Sequence, residues 1–361
     1  MSVDDENLRK VRARIDAIDA EIQRLITERA GCAHQIAQLK QTAPDASFYR
    51  PEREAQVLRN VMARDCGLLK PQNMAHIFRE IMSACLAVEQ SLNVAFLGPE
   101  GTFTHQAAVK HFGHAVTPVA QLTIADVFRA VATGRSQYGV VPVENSTEGS
   151  VNETLDQLRN ASLQVCGEVV LRVHHNLLSL ADTIQDVQRI YAHQQSLAQC
   201  RGWLDTNLPR IEQVAVASNA EAARLAAEEP HSAAIASEAA AEIYGLKVLA
   251  ANIEDEFDNT TRFLVVGDKT SPPSGRDKTS VLLVTGNQPG ALYKALSPLA
   301  EHGISMTRIE SRPSRRGPWD YVFFIDIEGH AEDATVAQAL VQLKSQVSLL
   351  RVLGAYPRAM L

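Results

Sequence analysis

The sequence is poor in cysteine, lacks any long apolar run and carries no excess of positive charge, and each lack removes a class of function. Its five cysteines (Cys32, Cys66, Cys85, Cys166 and Cys200) are odd in number and widely spaced, with no Cys-x-x-Cys pair. That pattern suits reduced thiols, so no disulfides are expected. The eleven histidines include no His-Glu-x-x-His, and the adjacent His174 and His175 are wrongly spaced for two ligands on one strand face, so no metal site is predicted. The Ala-rich residues 232–253 are interrupted by Glu238, Glu242 and Lys247 and fall short of the roughly 18 consecutive apolar residues of a membrane span. Residues 1–10 are acidic and have neither the basic nor the apolar segment of a secretory signal, which gives the cytoplasm as the expected compartment. A net charge of -7 gives no reason to expect a nucleic-acid partner.

What is present is a chain of 361 residues, 45% hydrophobic and 21% charged, long enough for two or three domains with cores of their own and directed by its composition toward small molecules. Pattern changes divide it into residues 1–92 (all helical), 93–268 (alternating strands and helices), a Pro/Gly/Ser linker at 269–278, and 279–361 in β-α-β-β-α-β order. The expected architecture is a three-helix module, a two-lobed doubly wound α/β domain and a small α+β domain.

Residues 8–41 contain no proline, and Ile15, Ile18, Ile22, Leu25, Cys32, Ile36 and Leu39 recur as a heptad-like stripe. This predicts one helix of about 50 Å at 1.5 Å per residue. One heptad beyond Ile22 falls on Arg29, a guanidinium where Leu or Ile belongs, and a charge buried there must be paired. The bland account is an Arg29 that snorkels or pairs with a core carboxylate. Lys40 shares the face of Arg29, whereas Arg12 lies about a quarter-turn away, so one site uses both most easily if Arg12 comes from a neighbouring helix. Two further helices over residues 51–64 and 72–92, separated by short loops near Pro44 and Lys70-Pro71, complete the module, with Glu54 and Glu89 as polar candidates.

Arg12, Arg29, Lys40, the run Arg50-Pro51-Glu52-Arg53-Glu54 and Glu89 resemble the all-helical chorismate mutases over nearly the whole module. The resemblance implies a homodimer of crossing long helices in which Arg12 reaches the partner's site. It implies chorismate as substrate, bound by Arg12, Arg29, Lys40, Arg50, Glu54, Cys85 and Glu89. The rearrangement is pericyclic and needs positioning and charge complementarity more than a nucleophile. Guanidinium forks suit the two carboxylates, Lys40 suits the ether oxygen where charge develops, and Glu54 can accept from the ring hydroxyl. Glu89 stands where some members carry Gln, so it must be protonated to donate to that oxygen. Arg50 replaces an acidic residue and Cys85 a serine of some relatives.

From Asn93 the pattern becomes strand-like, and Val94-Ala95-Phe96-Leu97 runs into the turn Gly98-Pro99-Glu100-Gly101-Thr102-Phe103-Thr104, which can cradle an anion on its amides or be a turn and nothing more. A strand over residues 138–143 ends in the polar Glu144-Asn145-Ser146, where open α/β sheets bind ligands. With Asn259-Thr260-Thr261-Arg262-Phe263, these motifs resemble the prephenate dehydratases in order and spacing. The resemblance implies a two-lobed periplasmic-binding-like fold that needs no metal or organic cofactor. It implies prephenate bound by Thr102, Thr104, Glu144, Asn145, Ser146, Thr261 and Arg262, with Thr261 as proton donor and Glu144 as its polarising neighbour or a rival acid. In a regular strand Thr261 and Arg262 point to opposite faces, so both reach one ligand only if the backbone turns there. Outside this context Thr261 is an ordinary β-former and Arg262 a surface partner of Asp258.

Gly290-Ala291-Leu292 and Glu310-Ser311-Arg312-Pro313 resemble the phenylalanine-binding ACT domain, which implies L-phenylalanine as an inhibitor at a subunit interface; a purely structural dimerisation module fits the same fold. Pro298 is expected to distort the first helix of this domain. The combined resemblance implies a bifunctional mutase and dehydratase under feedback control, and the other class that fits is a catalytically silent amino-acid sensor. Turnover in Thr261→Ala and Thr261→Ser separates a proton donor from a packing threonine: the alanine variant should lose dehydration almost entirely, and a near-normal rate would exclude that role.

Overall fold

The computed structural model describes residues 3–40, 49–286, 288–313 and 321–360. The loop expected near Pro44 lies outside them. The helical unit contains α1 (Val3–Lys40), α2 (Pro51–Ala63) and α3 (Pro71–Glu89). Proline at the first position of α2 and of α3 fits a place where the missing N–H costs no hydrogen bond. The C-terminal part of α1 packs on α3 and buries Ala33 and Ala37. Its heptad seam is different, because Leu8, Val11, Ile15, Ile18, Ile22 and Leu25 each remain about half exposed. A row of six large apolar residues at alternating spacings of three and four is the pattern of a helix seam that meets another helix.

The rest begins with β1 (Asn93–Leu97), α4 (Phe103–Phe112), β2 (Thr117–Gln121), α5 (Ile124–Ala132), β3 (Tyr138–Asn145), β4 (Gly149–Ser150), α6 (Asn152–Asn160) and β5 (Gln164–Arg172). The second lobe holds β6 (Asn176–Ser179), β7 (Arg189–His193), α7 (Gln194–Gln199), α8 (Arg201–Asn207), β8 (Glu212–Val216), α9 (Asn219–Glu228), β9 (Ser232–Ala236), α10 (Glu238–Tyr244) and β10 (Lys247–Ala250). The chain then returns to the first lobe as β11 (Thr260–Gly267), which lies between β3 and β5 in the order β2-β1-β3-β11-β5. The second sheet runs β10-β6-β9-β7-β8. Both its faces are covered, as alternation in its strands requires: Leu177 and Ile190 enter one cluster, Leu178 and Tyr191 the other.

The C-terminal domain follows as β12 (Asp277–Val284), α11 (Ala291–Glu301), β13 (Met306–Pro313), β14 (Tyr321–Glu328), α12 (Ala334–Gln346) and β15 (Leu349–Pro357), with sheet order β13-β14-β12-β15. This is the expected β-α-β-β-α-β order. Val281 and Leu283 face α11 and α12, while Leu282 faces the first lobe together with Phe324, Leu353 and Tyr356. The domain therefore shares a core with the lobe before it. The stretch read as a linker is tied down: Ser271 is buried, the amides of Ser274 and Gly275 donate to Asp277 Oδ2 at 2.8 and 2.9 Å, and β12 begins inside it. Pro298 does not break α11, which continues to Glu301. The Lys294 carbonyl that would have bonded the missing N–H instead accepts from Ser297 Oγ at 3.0 Å.

Two aspartates at Ile18 and Ile22 would place charge in the exposed seam. The double variant should sediment as a smaller species than the parent protein at micromolar concentration, and an unchanged mass would show that the seam joins no second helix.

Candidate functional site

Between the two lobes lies a cavity of about 450 Å³. The first lobe supplies Thr102 from the turn after β1, Phe103 and Thr104 from the start of α4, Asn145 from the end of β3, Glu148 to Val151, and Thr261 and Phe263 from β11. The second lobe supplies His175, His193, Gln195, Ser196, Gln199, Ser218, Asn219 and Ser237. Its polar wall is thus built of hydroxyls, amides and imidazoles, with Glu148 as the charged member.

The pairing of β3 with β11 decides which residues face this space. Thr261 sits opposite Asn145, and Arg262 opposite Glu144, so the pleat sends the first pair to one face and the second to the other. A bulge follows Arg262, too late to bring Thr261 and Arg262 together. Asn145 Nδ2 donates to Thr261 Oγ1 at 2.8 Å and to Asn259 Oδ1 at 2.7 Å, while its Oδ1 accepts from the amides of Thr147 and Glu148. With its oxygen already accepting, the Thr261 hydroxyl keeps its proton for a molecule in the cavity, and the donated bond polarises it. Asn145 therefore occupies the neighbouring position expected of Glu144.

Arg262 is directed elsewhere. It donates to Glu168 Oε2 (2.8 Å), Asp326 Oδ2 (2.5 Å) and Tyr356 Oη (3.0 Å), and Lys278 shares Glu168 at 2.9 Å. Burial opposes its charge, but Tyr356, Asp326 and Glu168 outweigh that and hold its pKa above the ordinary guanidinium value. Glu144 lies 3.2 Å from Arg308 Nε and 3.9 Å from Arg262. Ser146 serves the backbone, accepting from the Thr260 amide at 2.9 Å. Of the seven residues expected to hold the second substrate, Thr102, Thr104, Asn145 and Thr261 line the cavity, and Glu144, Ser146 and Arg262 do not. The Thr102 hydroxyl donates to Leu97 O and Pro99 O, each at 3.0 Å, which shapes the turn.

Sequence reasoning missed the second lobe's share. Ser218 and Ser237 cap α9 and α10, accepting from the amides of Glu221 and Ala240, so both helices begin at the cavity wall. The Ser218-Asn219-Ala220-Glu221 spacing of a capping box was the available signal. Ser237 also donates to Gly101 O at 3.1 Å, and Tyr244 Oη reaches Glu100 O at 3.2 Å, so the second lobe holds the first lobe's turn.

In the helical unit, Glu89 is coupled to Lys40 and Arg29. Burial raises its carboxyl pKa while those two cations pull it back. Its Oε2 is buried without a hydrogen-bond partner. Cys85 is a buried free thiol in α3, Arg50 is exposed ahead of α2, and Glu54 is half-buried in its first turn. Arg12 lies 17 residues before Arg29 in one continuous helix, about 25 Å of rise, so one chain does not bring both to one ligand.

In the C-terminal domain, Gly290 starts α11 at φ 79° and is followed by the half-buried Ala291 and Leu292. Glu310 and Arg312 reach the first lobe: Glu310 Oε2 accepts from Ser150 Oγ at 2.7 Å, and Arg312 donates to Asn152 and pairs with Asp156. Ser311 and Pro313 are exposed along β13. Among the described residues, no group of three or more His, Cys, Asp or Glu side chains is placed to hold a metal ion, and no helix is long and apolar enough to cross a membrane.

Comparison with known proteins matches three families along the chain: chorismate mutase type II over residues 11–90, prephenate dehydratase over 94–271 and the ACT domain over 279–345. A bifunctional chorismate mutase/prephenate dehydratase of Stutzerimonas stutzeri is 52% identical over 361 residues, covering 99% of each chain. Among solved structures, the prephenate dehydratase of Arthrobacter aurescens in complex with L-Phe is 36% identical, with a TM-score of 0.69 over 74% of this chain and 90% of that one. A protein described as a novel type of quorum quenching acylase is 35% identical, with a TM-score of 0.68 over 74% of this chain and 98% of that one.

The geometry separates the roles of two adjacent residues. Replacing Arg262 by Met leaves Asp326 buried without its cation and should lower the unfolding free energy by about 3–5 kcal/mol in a denaturant titration. Substrate KM should change little by comparison; a large KM increase at unchanged stability would return Arg262 to the ligand.

Proposed function

The chain belongs to the bifunctional chorismate mutase/prephenate dehydratase family, and from that premise we propose that it rearranges chorismate to prephenate on its helical unit, converts prephenate to phenylpyruvate in the inter-lobe cavity, and is inhibited by L-phenylalanine through its C-terminal domain. The observation that carries the dehydratase assignment is the Thr261 hydroxyl, polarised by Asn145 at 2.8 Å and free to donate into the cavity. Prephenate loses its ring hydroxyl as water and its ring carboxylate as carbon dioxide. The electron pair of the broken C–C bond completes the aromatic ring, and the departing oxygen takes a proton, which Thr261 delivers and solvent restores. The start of α9 offers backbone N–H groups to the carboxylates.

For the mutase, Arg29 and Lys40 meet Glu89 in one cluster, and Arg12 completes it from the second copy of a homodimer joined along the α1 seam. Arg50, Glu54 and Cys85 contribute to the same chorismate site. Control by L-phenylalanine is supported by the shared core and by the Ser150–Glu310 bond, which joins a residue of the cavity wall to β13. Free thiols at all five cysteines fit a cytoplasmic enzyme.

Incubation of the purified protein with chorismate, with and without phenylalanine, tests all three parts. Prephenate should appear first, then phenylpyruvate, and phenylalanine should suppress the second step; binding without turnover would instead establish a sensor. The raised pKa of Glu89 adds a signed expectation. Its donor form is the protonated one, so mutase rate should fall as pH rises through that pKa, and Glu89→Gln should flatten the profile. An unchanged profile in the variant would remove Glu89 from the ether oxygen.

A further inference from the structure

His175 is buried to 1% exposure between the lobes and belongs to the cavity wall. Its backbone and one ring nitrogen are held. Its backbone N–H donates to Glu254 Oε2 at 2.9 Å, its carbonyl accepts from the Ile253 amide at 2.8 Å, and its ring meets Phe103 edge-on with centroids 5.7 Å apart. Its Nε2 lies 2.8 Å from Gln199 Oε1. Gln199, the last residue of α7, is fixed as well, because its carbonyl accepts from the Asp255 amide at 2.7 Å. The remaining freedom is the orientation of the Gln199 amide, which decides whether an oxygen or an NH₂ group meets the cavity.

Two observations settle that orientation. Gln199 Nε2 points at Glu148 Oε1, at 3.5 Å, and a carboxylate oxygen is an acceptor, so the NH₂ end belongs on that side and the oxygen end faces His175. His175 Nδ1 is buried and has no hydrogen-bond partner; a proton there would be an orphaned donor, whereas a bare nitrogen is the cheaper state. The ring is therefore the tautomer with its proton on Nε2, donated to Gln199. Burial also holds the imidazole pKa below its ordinary value, which favours the neutral ring.

We infer that His175 is a positioning residue: its Nε2–H locks the Gln199 amide so that the NH₂ group stands at the cavity as a neutral donor to a carboxylate or keto oxygen of the substrate. This rests on the dehydratase reading of the cavity. An amide free to rotate would present its oxygen to an anion for part of the time. A pre-oriented NH₂ avoids that repulsion without placing a cation on the carboxylate that must leave as carbon dioxide.

A double-mutant cycle on the full-length protein tests the inference, with prephenate turnover as the readout and thermal melting recorded for each variant. Loss of one hydrogen bond to a charged group gives roughly a 10- to 100-fold fall in kcat/KM for Gln199→Leu. His175→Leu should lose nearly as much, the double variant should lose no more than the larger single loss, and His175→Gln, whose amide can still donate, should recover most of the activity. Losses that multiply, or a His175→Leu variant with parental kcat/KM, would overturn the inference. So would equal losses in the Leu and Gln variants of His175 at parental melting temperature. A parent enzyme that turns over chorismate but not prephenate would instead overturn the dehydratase reading, so the two failures are distinguishable.

Discussion

One strand carries the central constraint. Period-two alternation places Thr261 on one face of β11 and Arg262 on the other, so the hydroxyl at the cavity and the buried guanidinium move together. A buried guanidinium tolerates little displacement, because leaving any of its partners uncompensated is expensive. Its partners come from three strands, Glu168 on β5, Asp326 on β14 and Tyr356 on β15, and Ser280 on β12 ties the last two together at 2.5 and 2.7 Å. The position of Thr261 is thus fixed partly by residues some 65 to 95 positions downstream. The C-terminal domain is part of the wall that holds the strand in register.

On the proposed function the two sites handle anionic substrates in opposite ways, and the chemistry explains the difference. On the helical unit, guanidinium and ammonium groups suit a rearrangement that conserves both carboxylates while charge builds on an ether oxygen; cations there hold throughout the reaction or strengthen toward the transition state. In the inter-lobe cavity the ring carboxylate becomes neutral carbon dioxide. A cation paired with it would bind the ground state more tightly than the transition state and raise the barrier. Helix starts, hydroxyls and amides bind the same anion with less bias toward the starting charge. The second-lobe wall of Ser218, Asn219, Ser237 and Gln199 is of that kind.

How much of this was legible in the sequence depended on whether a feature is local. The heptad seam, the strand order of the C-terminal domain and the polar ends of β3 and β11 follow from periodicity and punctuation along the chain, and they lie where the pattern put them. Facing direction is different. Glu144 and Asn145 are adjacent, so only one of them can point into the cavity, and which one does is set by register against β11, a strand more than a hundred residues away. For the same reason Arg262 reads as a ligand group beside Thr261 and folds as a structural cation behind it. The second-lobe contributors were hidden because helix caps and a buried histidine resemble ordinary scaffold until the chain brings them to a shared space. The pairing of His175 with Gln199 spans 24 residues, so no local pattern announces it.

The stretch after β11 shows why composition misleads about independence. Residues 269–278 have the proline, glycine and serine of a flexible tether, yet Ser271 is buried and Asp277 closes the turn at Ser274 and Gly275. Packing continues beyond it, since a side chain at Gly354 of β15 would collide with the Val165 carbonyl of β5; the two backbones touch where only glycine fits. A domain seated this closely cannot report its ligand state by swinging on a linker. Any change on β13 must pass through groups already bonded across the contact, and Arg308 is such a group: it donates to Ser150 Oγ at 2.7 Å and pairs with Glu144, the residue next to Asn145. From Asn145 to the Thr261 hydroxyl is one hydrogen bond, so a small shift of β13 has a short, rigid route to the hydroxyl that the proposed dehydration uses as its proton donor.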